Sequence, residues 1–157
     1  RTSAVNYAGP RRNKVFGIPW YAHQIAKIEK KLQEPHMKVG HLLDKRNFTH
    51  VKDMVNAYWL AVEKCIPGEM YLIGSEDKRQ IHTFLECLEF LISESTVKNI
   101  TYEVDEKYVR LTQVPFLVCN ATKFKNITGW DPKIEFNKIL TDTLDYQRNL
   151  LIKNISY

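Results

Sequence analysis

The sequence has 157 residues and a formal net charge of +5, from 23 basic and 18 acidic residues. Its hydrophobic fraction of 44% and charged fraction of 26% are those of a soluble globular protein, which excludes a largely disordered chain. The basic residues form no stripe with interleaved aromatic residues, so we expect no nucleic-acid partner. No apolar run approaches the length of about 18 residues that spans a bilayer, so we expect no membrane partner either.

The predicted elements alternate between strands and helices, which indicates an α/β domain with some parallel pairing that covers residues 1–157. In chain order they are a strand at 1–6, a helix at 18–33, strands at 37–43 and 46–49, a helix at 51–64, a strand at 69–73, a helix at 80–93, a strand at 100–104, and helices at 122–127 and 136–150.

Two helices carry specific expectations. In the first, Pro19 suits the first turn and Pro35 marks the end. In the helix at 51–64, apolar spacing predicts a buried face. The residues assigned to that buried face are Val51, Val55, Tyr58, Trp59 and Val62. Outside these helices, Trp130 is expected to cover the edge of the sheet near the last helix.

The three cysteines are far apart and form no Cys-x-x-Cys pair, so neither a zinc site nor a disulfide framework is predicted. A reducing, cytoplasmic location fits this pattern. The five histidines show no ligand spacing, and we expect no metal. The chain opens inside a strand, without a leader or a methionine, so we expect that preceding residues are missing.

Catalytic signatures are missing from the sequence. It contains neither Gly-x-Gly-x-x-Gly nor Gly-x-x-x-x-Gly-Lys, the two usual phosphate-binding loops. No tyrosine is followed four places later by lysine. We therefore expect no catalytic residue within these 157 residues.

The most informative segment is 6–12, where Asn6 precedes a Gly-Pro turn and the pair Arg11 and Arg12. Ligands of open α/β sheets bind where strands end, and guanidinium groups match phosphate oxygens. Arg46 and Arg110 are further candidates for such a site. The alternative for Arg11 and Arg12 is that they are solvated surface residues. The alternative for Arg46 and Arg110 is a surface ion pair with a carboxylate such as Asp44 or Glu106.

Ten segments, in order and in register, resemble the GDP-mannose 4,6-dehydratases, which are extended short-chain dehydrogenases. For example, Arg46-Asn47-Phe48-Thr49 is similar to their Arg-Asp-Phe-Thr, and residues 6–12 are similar to their Asn-His-Thr-Gly-Pro-Arg-Arg. The segments are 1–12, 24–29, 32–35, 39–42, 46–55, 57–60, 67–69, 73–75, 128–132 and 144–146.

The resemblance implies a Rossmann-like α/β fold, of which this chain is the C-terminal, substrate-binding portion without the N-terminal cofactor-binding strands. The intact family enzyme moves a hydride from C4 of GDP-mannose to NADP, eliminates water across C5–C6 and returns the hydride to C6. The implied partners are GDP-mannose and, in an intact homo-oligomer, further copies of the enzyme.

Site residues follow from the same resemblance. Asn6 is expected on the diphosphate side of the substrate, Val39 against the guanine, and Arg46 and Arg110 at the nucleotide diphosphate. The remaining two, Tyr7 in the position of a family histidine and Arg12, are expected to contact NADP.

The sequence departs from the family at several positions. Tyr7 replaces histidine, Asn47 replaces aspartate, Leu111 and Gln113 replace a proline and a carboxylate, and Gln147 replaces tryptophan. Three readings stay open at this point: a dehydratase, a reductase or epimerase that acts on a related nucleotide sugar, and a non-catalytic or vestigial binding module.

Overall fold

A computed structural model of the chain describes residues 1–109 and 114–153, which form an α/β fold. The strands within these ranges are β1 (Thr2–Ala4), β2 (Tyr7–Ala8), β3 (His36–Val39), β4 (Lys45–Asn47), β5 (Thr49–His50), β6 (Tyr71–Ile73), β7 (Ile81–Thr83), β8 (Thr101–Val104) and β9 (Phe116–Leu117). The helices are α1 (Gly17–Glu29), α2 (Val51–Lys64), α3 (Phe84–Ser93), α4 (Thr122–Thr128) and α5 (Phe136–Ile152), with short 3-10 turns at Lys78–Gln80 and Glu106–Tyr108.

Most strand pairs are parallel, as the alternation of strands and helices predicts. β1 pairs with β6, β2 with β5, and β3 with β8, all in parallel. In the remaining sheet β4 lies between β7, which is antiparallel to it, and β9, which is parallel. This arrangement brings the ends of β2, β3 and β4 toward one region of the molecule.

The core has two parts. The larger part lies where α1 packs against α3 and α5, with Met37 and Val39 of β3 fully buried beneath them. The smaller part lies between α2, β6 and α4 and contains Trp130. The indole of Trp130 donates from Nε1 to the Asp53 carbonyl oxygen (3.1 Å), so it anchors the segment after α4 to α2.

Helix α2 has the predicted ends, but the prediction of its buried face is wrong. Met54 and Ala57 are the buried residues, whereas Trp59 is 67% and Val62 is 87% exposed. A small residue at 57 lets the helix pack against β1, β2 and α4, while the larger apolar side chains are exposed. Val55, Tyr58, Trp59 and Val62 form an exposed apolar surface that we call the α2 stripe.

Other boundaries also differ from the prediction. α1 ends at Glu29, ahead of Pro35, because the chain turns at Lys31, which has a φ of 57°. β3 ends at Val39 rather than continuing to residue 43. The predicted helix at 80–93 begins only at Phe84, because Thr83 and Glu86 form a reciprocal capping box that fixes the first turn.

An ion pair and a hydrogen bond join α1 to α5. Arg148 donates to both carboxylate oxygens of Glu29, at 2.8 and 2.7 Å. Buried Gln147 lies with Oε1 at 3.2 Å from Nδ1 of His23. Gln147, which departs from the family tryptophan, therefore has a polar partner of its own in this chain.

His50 joins the start of α2 to α5. Its side chain is buried, Nδ1 accepts from the backbone N–H of Lys52 (3.0 Å), and Nε2 lies 3.2 Å from Oδ2 of Asp142. Burial lowers the pKa of His50 below its ordinary value, and the carboxylate of Asp142 offsets this only in part. The imidazole is therefore a neutral helix cap.

This burial predicts acid sensitivity. Because the pKa of His50 is lower in the folded than in the unfolded chain, stability is complete above the ordinary histidine pKa of about 6.5 and falls as the pH drops below it. In urea unfolding experiments, the titration of His50 should lower the free energy of unfolding by up to about 1 kcal/mol as the pH drops from about 7.5 to about 5.5. His50→Asn retains a capping oxygen and should reduce this pH dependence. An unchanged pH dependence in His50→Asn contradicts the assignment.

The described residues contain no helix with the length and apolar character needed to cross a membrane.

Candidate functional site

A cavity of about 700 Å³ lies where the N-terminal segment, the start of α1, and the segments after β3 and β8 meet. Its described lining carries the cations Arg12, Lys14, Arg46 and Lys107, with Asp44 as the one carboxylate among these residues. We call it the basic cavity. An excess of positive charge in a partly enclosed space attracts anions, and phosphate groups in particular.

Arg46 reaches the basic cavity from β4. Its Nη2 donates to Oδ2 of Asp44 (3.2 Å), and its Nη1 donates to the Lys45 carbonyl oxygen (2.8 Å). Asp44 is held in turn by His41, with Nδ1 at 2.9 Å from Oδ1. The sequence left open a surface pair between Arg46 and Asp44; the pair exists, but at 12% and 11% exposure it forms part of the cavity wall.

The geometry fixes the Arg46 guanidinium without using all of it. A guanidinium has five donor hydrogens. The bonds to Asp44 and to the Lys45 carbonyl oxygen use two of them. Among residues 1–109 and 114–153 the other donors have no hydrogen-bond partner, and they can bind a ligand in the cavity. Asp44 therefore orients the Arg46 guanidinium and offsets its positive charge, but does not occupy all of its donors.

Arg12 is held by aromatic rings instead of a carboxylate. Its guanidinium carbon lies 4.2 Å from the ring centre of Tyr7 and 3.8 Å from that of Phe16. Contact of aromatic rings with the plane of a guanidinium leaves its N–H edges free, and these edges bind phosphate. Within the described chain, the Arg12 side chain makes no hydrogen bond that competes with such a ligand. Arg11, also proposed from the sequence, is exposed and does not line the basic cavity.

Asn6 lies on the cavity wall in a left-handed backbone conformation, with a φ of 48° that asparagine tolerates better than most residues. Its Nδ2 donates to the Leu117 carbonyl oxygen (2.9 Å) and lies 3.4 Å from Oδ1 of Asn47. The amide hydrogens are thus committed to the protein. The carbonyl oxygen of its side chain is the group that Asn6 offers to a ligand.

Asn47, one of the departures from the family pattern, has a structural role in this chain. It is fully buried, accepts from the backbone N–H of Cys119 (3.3 Å), and donates from Nδ2 to the Ser75 carbonyl oxygen. The substitution of asparagine for the family aspartate supplies that donor. Asn47 therefore ties β4, and with it Arg46, to the segments after β6 and β9.

The structure thus brings Asn6, Tyr7, Arg12 and Arg46 to one cavity, although they come from separate parts of the chain. Val39 is not at its surface: the side chain is fully buried in the core, and the neighbouring Gly40 lines the cavity. Arg110, with Leu111 and Gln113, lies outside the described residues.

The sequence pattern missed two aromatic residues of the cavity wall, Trp20 and Tyr108, and it named Asp44 only as a surface partner of Arg46. His41 and Asp44 are three positions apart, a spacing that signals a local pair only once the loop conformation is known. Trp20 of α1 and Tyr108, in the 3-10 turn after β8, lie with ring centres 5.4 Å apart. Gly40 permits this approach, because a Cβ there would lie 2.3 Å from the Tyr108 carbonyl oxygen.

Comparison with known proteins agrees with this architecture. The sequence model of the family described as GDP-mannose 4,6 dehydratase matches residues 1–143. A GDP-mannose 4,6 dehydratase from Homo sapiens is 28% identical over 95% of this chain and 44% of its own length. One from Drosophila melanogaster is 26% identical over 95% of this chain and 41% of its own length. The chain thus spans less than half the length of these relatives.

Among solved structures, RMD from Pseudomonas aeruginosa complexed with NADPH superposes with a TM-score of 0.83. The match is 24% identical and covers 94% of this chain and 48% of that chain. This match shows that the two chains share an α/β fold. Together with the match of the family model over most of the sequence, it establishes that this chain belongs to the GDP-mannose 4,6-dehydratase family.

Proposed function

We propose that residues 1–157 are the GDP-sugar-binding portion of a cytoplasmic GDP-mannose 4,6-dehydratase, and that the chain is inactive by itself. One observation carries the proposal: Asn6, Tyr7, Arg12 and Arg46, named from the family resemblance, line a single basic cavity. Family membership supplies the substrate class. The sequence has no Tyr-x-x-x-Lys pair, so the chain contributes binding groups rather than the catalytic tyrosine.

In this proposal Arg46 binds the diphosphate of GDP-mannose. The free donors of its guanidinium match paired phosphate oxygens, and Asp44 holds the fork in place. Asn6 presents its side-chain oxygen to a substrate hydroxyl. Since Val39 is buried, the guanine contact expected there falls to the half-buried backbone at Gly40, which lines the cavity. Arg110 is proposed to bind the same diphosphate.

The residues present fit one edge of an NADP molecule. Arg12 offers guanidinium edges that are free to bind a phosphate, and Tyr7 stacks on it. The sequence has no glycine-rich phosphate loop, so these two residues would assist rather than hold the dinucleotide alone. When bound, NADP accepts and returns a hydride. Tyr7 and Arg12 orient the phosphate edge, and the closely packed Phe16 excludes water from one face of the guanidinium.

Surface features support a larger intact protein. The α2 stripe exposes several large apolar side chains, and among the described residues β1 pairs only with β6. Exposed apolar surface beside an unpaired strand edge is typical of an interface. We infer that polypeptide equivalent to the rest of the longer relatives packs there and supplies the catalytic residues.

Calorimetric titration of the chain tests the proposal. GDP-mannose should give saturable binding that weakens with added salt, because the ligand is held by guanidinium groups. Mannose alone should give none, and no 4-keto sugar should form when NADP is added. Absence of saturable GDP-mannose binding would overturn the proposed function. Turnover by the chain alone would overturn the assignment of catalysis to other polypeptide.

A further inference from the structure

Two aromatic rings in the basic cavity have no role in the binding groups described so far. Trp20 lies in the first turns of α1 and Tyr108 in the 3-10 turn after β8, and both are half-buried. Their ring centres are 5.4 Å apart with the planes inclined by 31°. Trp20 packs against the larger core on one side, and both rings also line the cavity beside its cations.

The pair is held rigidly. Nε1 of Trp20 donates to the Lys38 carbonyl oxygen (2.8 Å), and the backbone N–H of Tyr108 donates to the Asp105 carbonyl oxygen (2.9 Å). Gly40 lets the Tyr108 segment close onto β3, since a Cβ at this position would clash with the Tyr108 carbonyl oxygen. The rings are therefore positioned before any ligand arrives, which lowers the entropic cost of binding.

We propose that Trp20 and Tyr108 form a stacking platform for the nucleobase of a nucleoside diphosphate. The inference rests on the proposed function, which assigns the diphosphate to Arg46. A planar base attached to that diphosphate meets the aromatic pair within the same cavity, and Lys107, whose Nζ lies 5.9 Å from the Tyr108 ring centre, adds positive charge at that wall.

Binding to the platform depends on the ring area of the base and not on the hydrogen-bonding groups at its edge. The indole N–H is already used by Lys38, so Trp20 has no donor left for a base. Stacking is tolerant of base identity because every base has a π-face. The platform consequently favours the larger purines over pyrimidines, without separating guanine from adenine.

Binding of GDP, ADP, UDP and inorganic diphosphate to wild-type protein, Trp20→Leu and Tyr108→Leu tests this directly. Each substitution should weaken GDP and ADP by a similar factor of about tenfold, which is the scale of stacking on one aromatic ring. Affinity for inorganic diphosphate should stay unchanged. GDP should also quench the fluorescence of Trp20, and this quenching should vanish in Trp20→Leu.

Trp59→Leu is the matched control, because Trp59 lies on the α2 stripe and not in the cavity. It should retain wild-type affinities and quenching. If Trp20→Leu fails to fold by circular dichroism, Tyr108→Leu and Trp20→Phe, which retains a ring, give the answer. Unchanged GDP affinity in Tyr108→Leu, or an equal loss of diphosphate affinity, overturns the platform while leaving the proposed function in place. Failure of wild-type protein to bind any nucleotide refutes the proposed function itself.

Discussion

Asn47→Ala is expected to lower the free energy of unfolding by about 2–4 kcal/mol, since each buried polar group left without a partner costs about 1–3 kcal/mol. Asn47 is fully buried, donates to the Ser75 carbonyl oxygen and accepts from the N–H of Cys119. Alanine removes both bonds and leaves a small void. Denaturant unfolding followed by circular dichroism measures the loss.

The matched control is Asn137→Ala, at an exposed position on α5 where alanine is a better helix former. It should leave the stability within about 0.5 kcal/mol of the wild type. A loss of equal size in the two variants, or no loss in Asn47→Ala, would show that the buried amide does not hold β4 to its neighbours. The position of Arg46 would then need another explanation.

Arg46→Met is expected to weaken the binding of GDP-mannose and of inorganic diphosphate by about 10- to 100-fold, because charge-assisted hydrogen bonds contribute about 1.5–3 kcal/mol. Methionine keeps much of the apolar stem. It removes the guanidinium and leaves the Asp44 carboxylate facing the cavity without its partner, which repels a diphosphate. Calorimetric titration of both ligands measures the effect.

Arg79→Met provides the comparison. The Arg79 side chain is 87% exposed and pairs with Asp77 outside the basic cavity. Affinities should match those of the wild type. Unfolding curves of both variants separate a binding defect from a folding defect: Arg46→Met should remain folded under the conditions of the titration. Wild-type diphosphate affinity in a folded Arg46→Met protein would contradict the assigned role.

The sequence predicts elements better than the faces they bury. The ends of α2 follow from its apolar spacing, yet spacing alone cannot tell which apolar stripe meets this chain and which is left exposed. The small residue Ala57 lies on the buried face. The large apolar residues Trp59 and Val62 led to the prediction of the exposed face as the buried one. A stripe that meets other polypeptide has the same period as one that meets the core.

Local capping signals indicate the start of α3 but not the end of α1. Thr83 and Glu86 have the spacing of a capping box, which places the start of α3 at Phe84 and leaves residues 81–83 as a strand. The end of α1 had no comparable signal. Lys31 adopts a positive φ without being glycine or asparagine, so its residue type does not signal the turn. Local backbone bonds close the helix there, from the Lys31 N–H to the Ile28 carbonyl oxygen (2.9 Å) and from the Leu32 N–H to the Lys27 carbonyl oxygen (2.8 Å).

The site shows the same division. Family resemblance named Asn6 and Arg46, and the fold brings them together, but residue types and spacing alone left Arg46 as an ordinary surface arginine. Trp20 and Tyr108 are far apart in sequence, and their meeting depends on the pairing of β3 with β8. Such convergence is a property of the topology, which local patterns cannot specify.

The most direct test of the basic cavity as the nucleotide-sugar site is a titration of isotope-labelled protein with GDP-mannose, followed by amide chemical shifts. The largest shifts should fall on Tyr7, Arg12, Gly40 and Arg46, while amides of α4, which does not line the cavity, stay unchanged. Shifts concentrated on α4 or on the α2 stripe, with the cavity amides unmoved, would contradict the account.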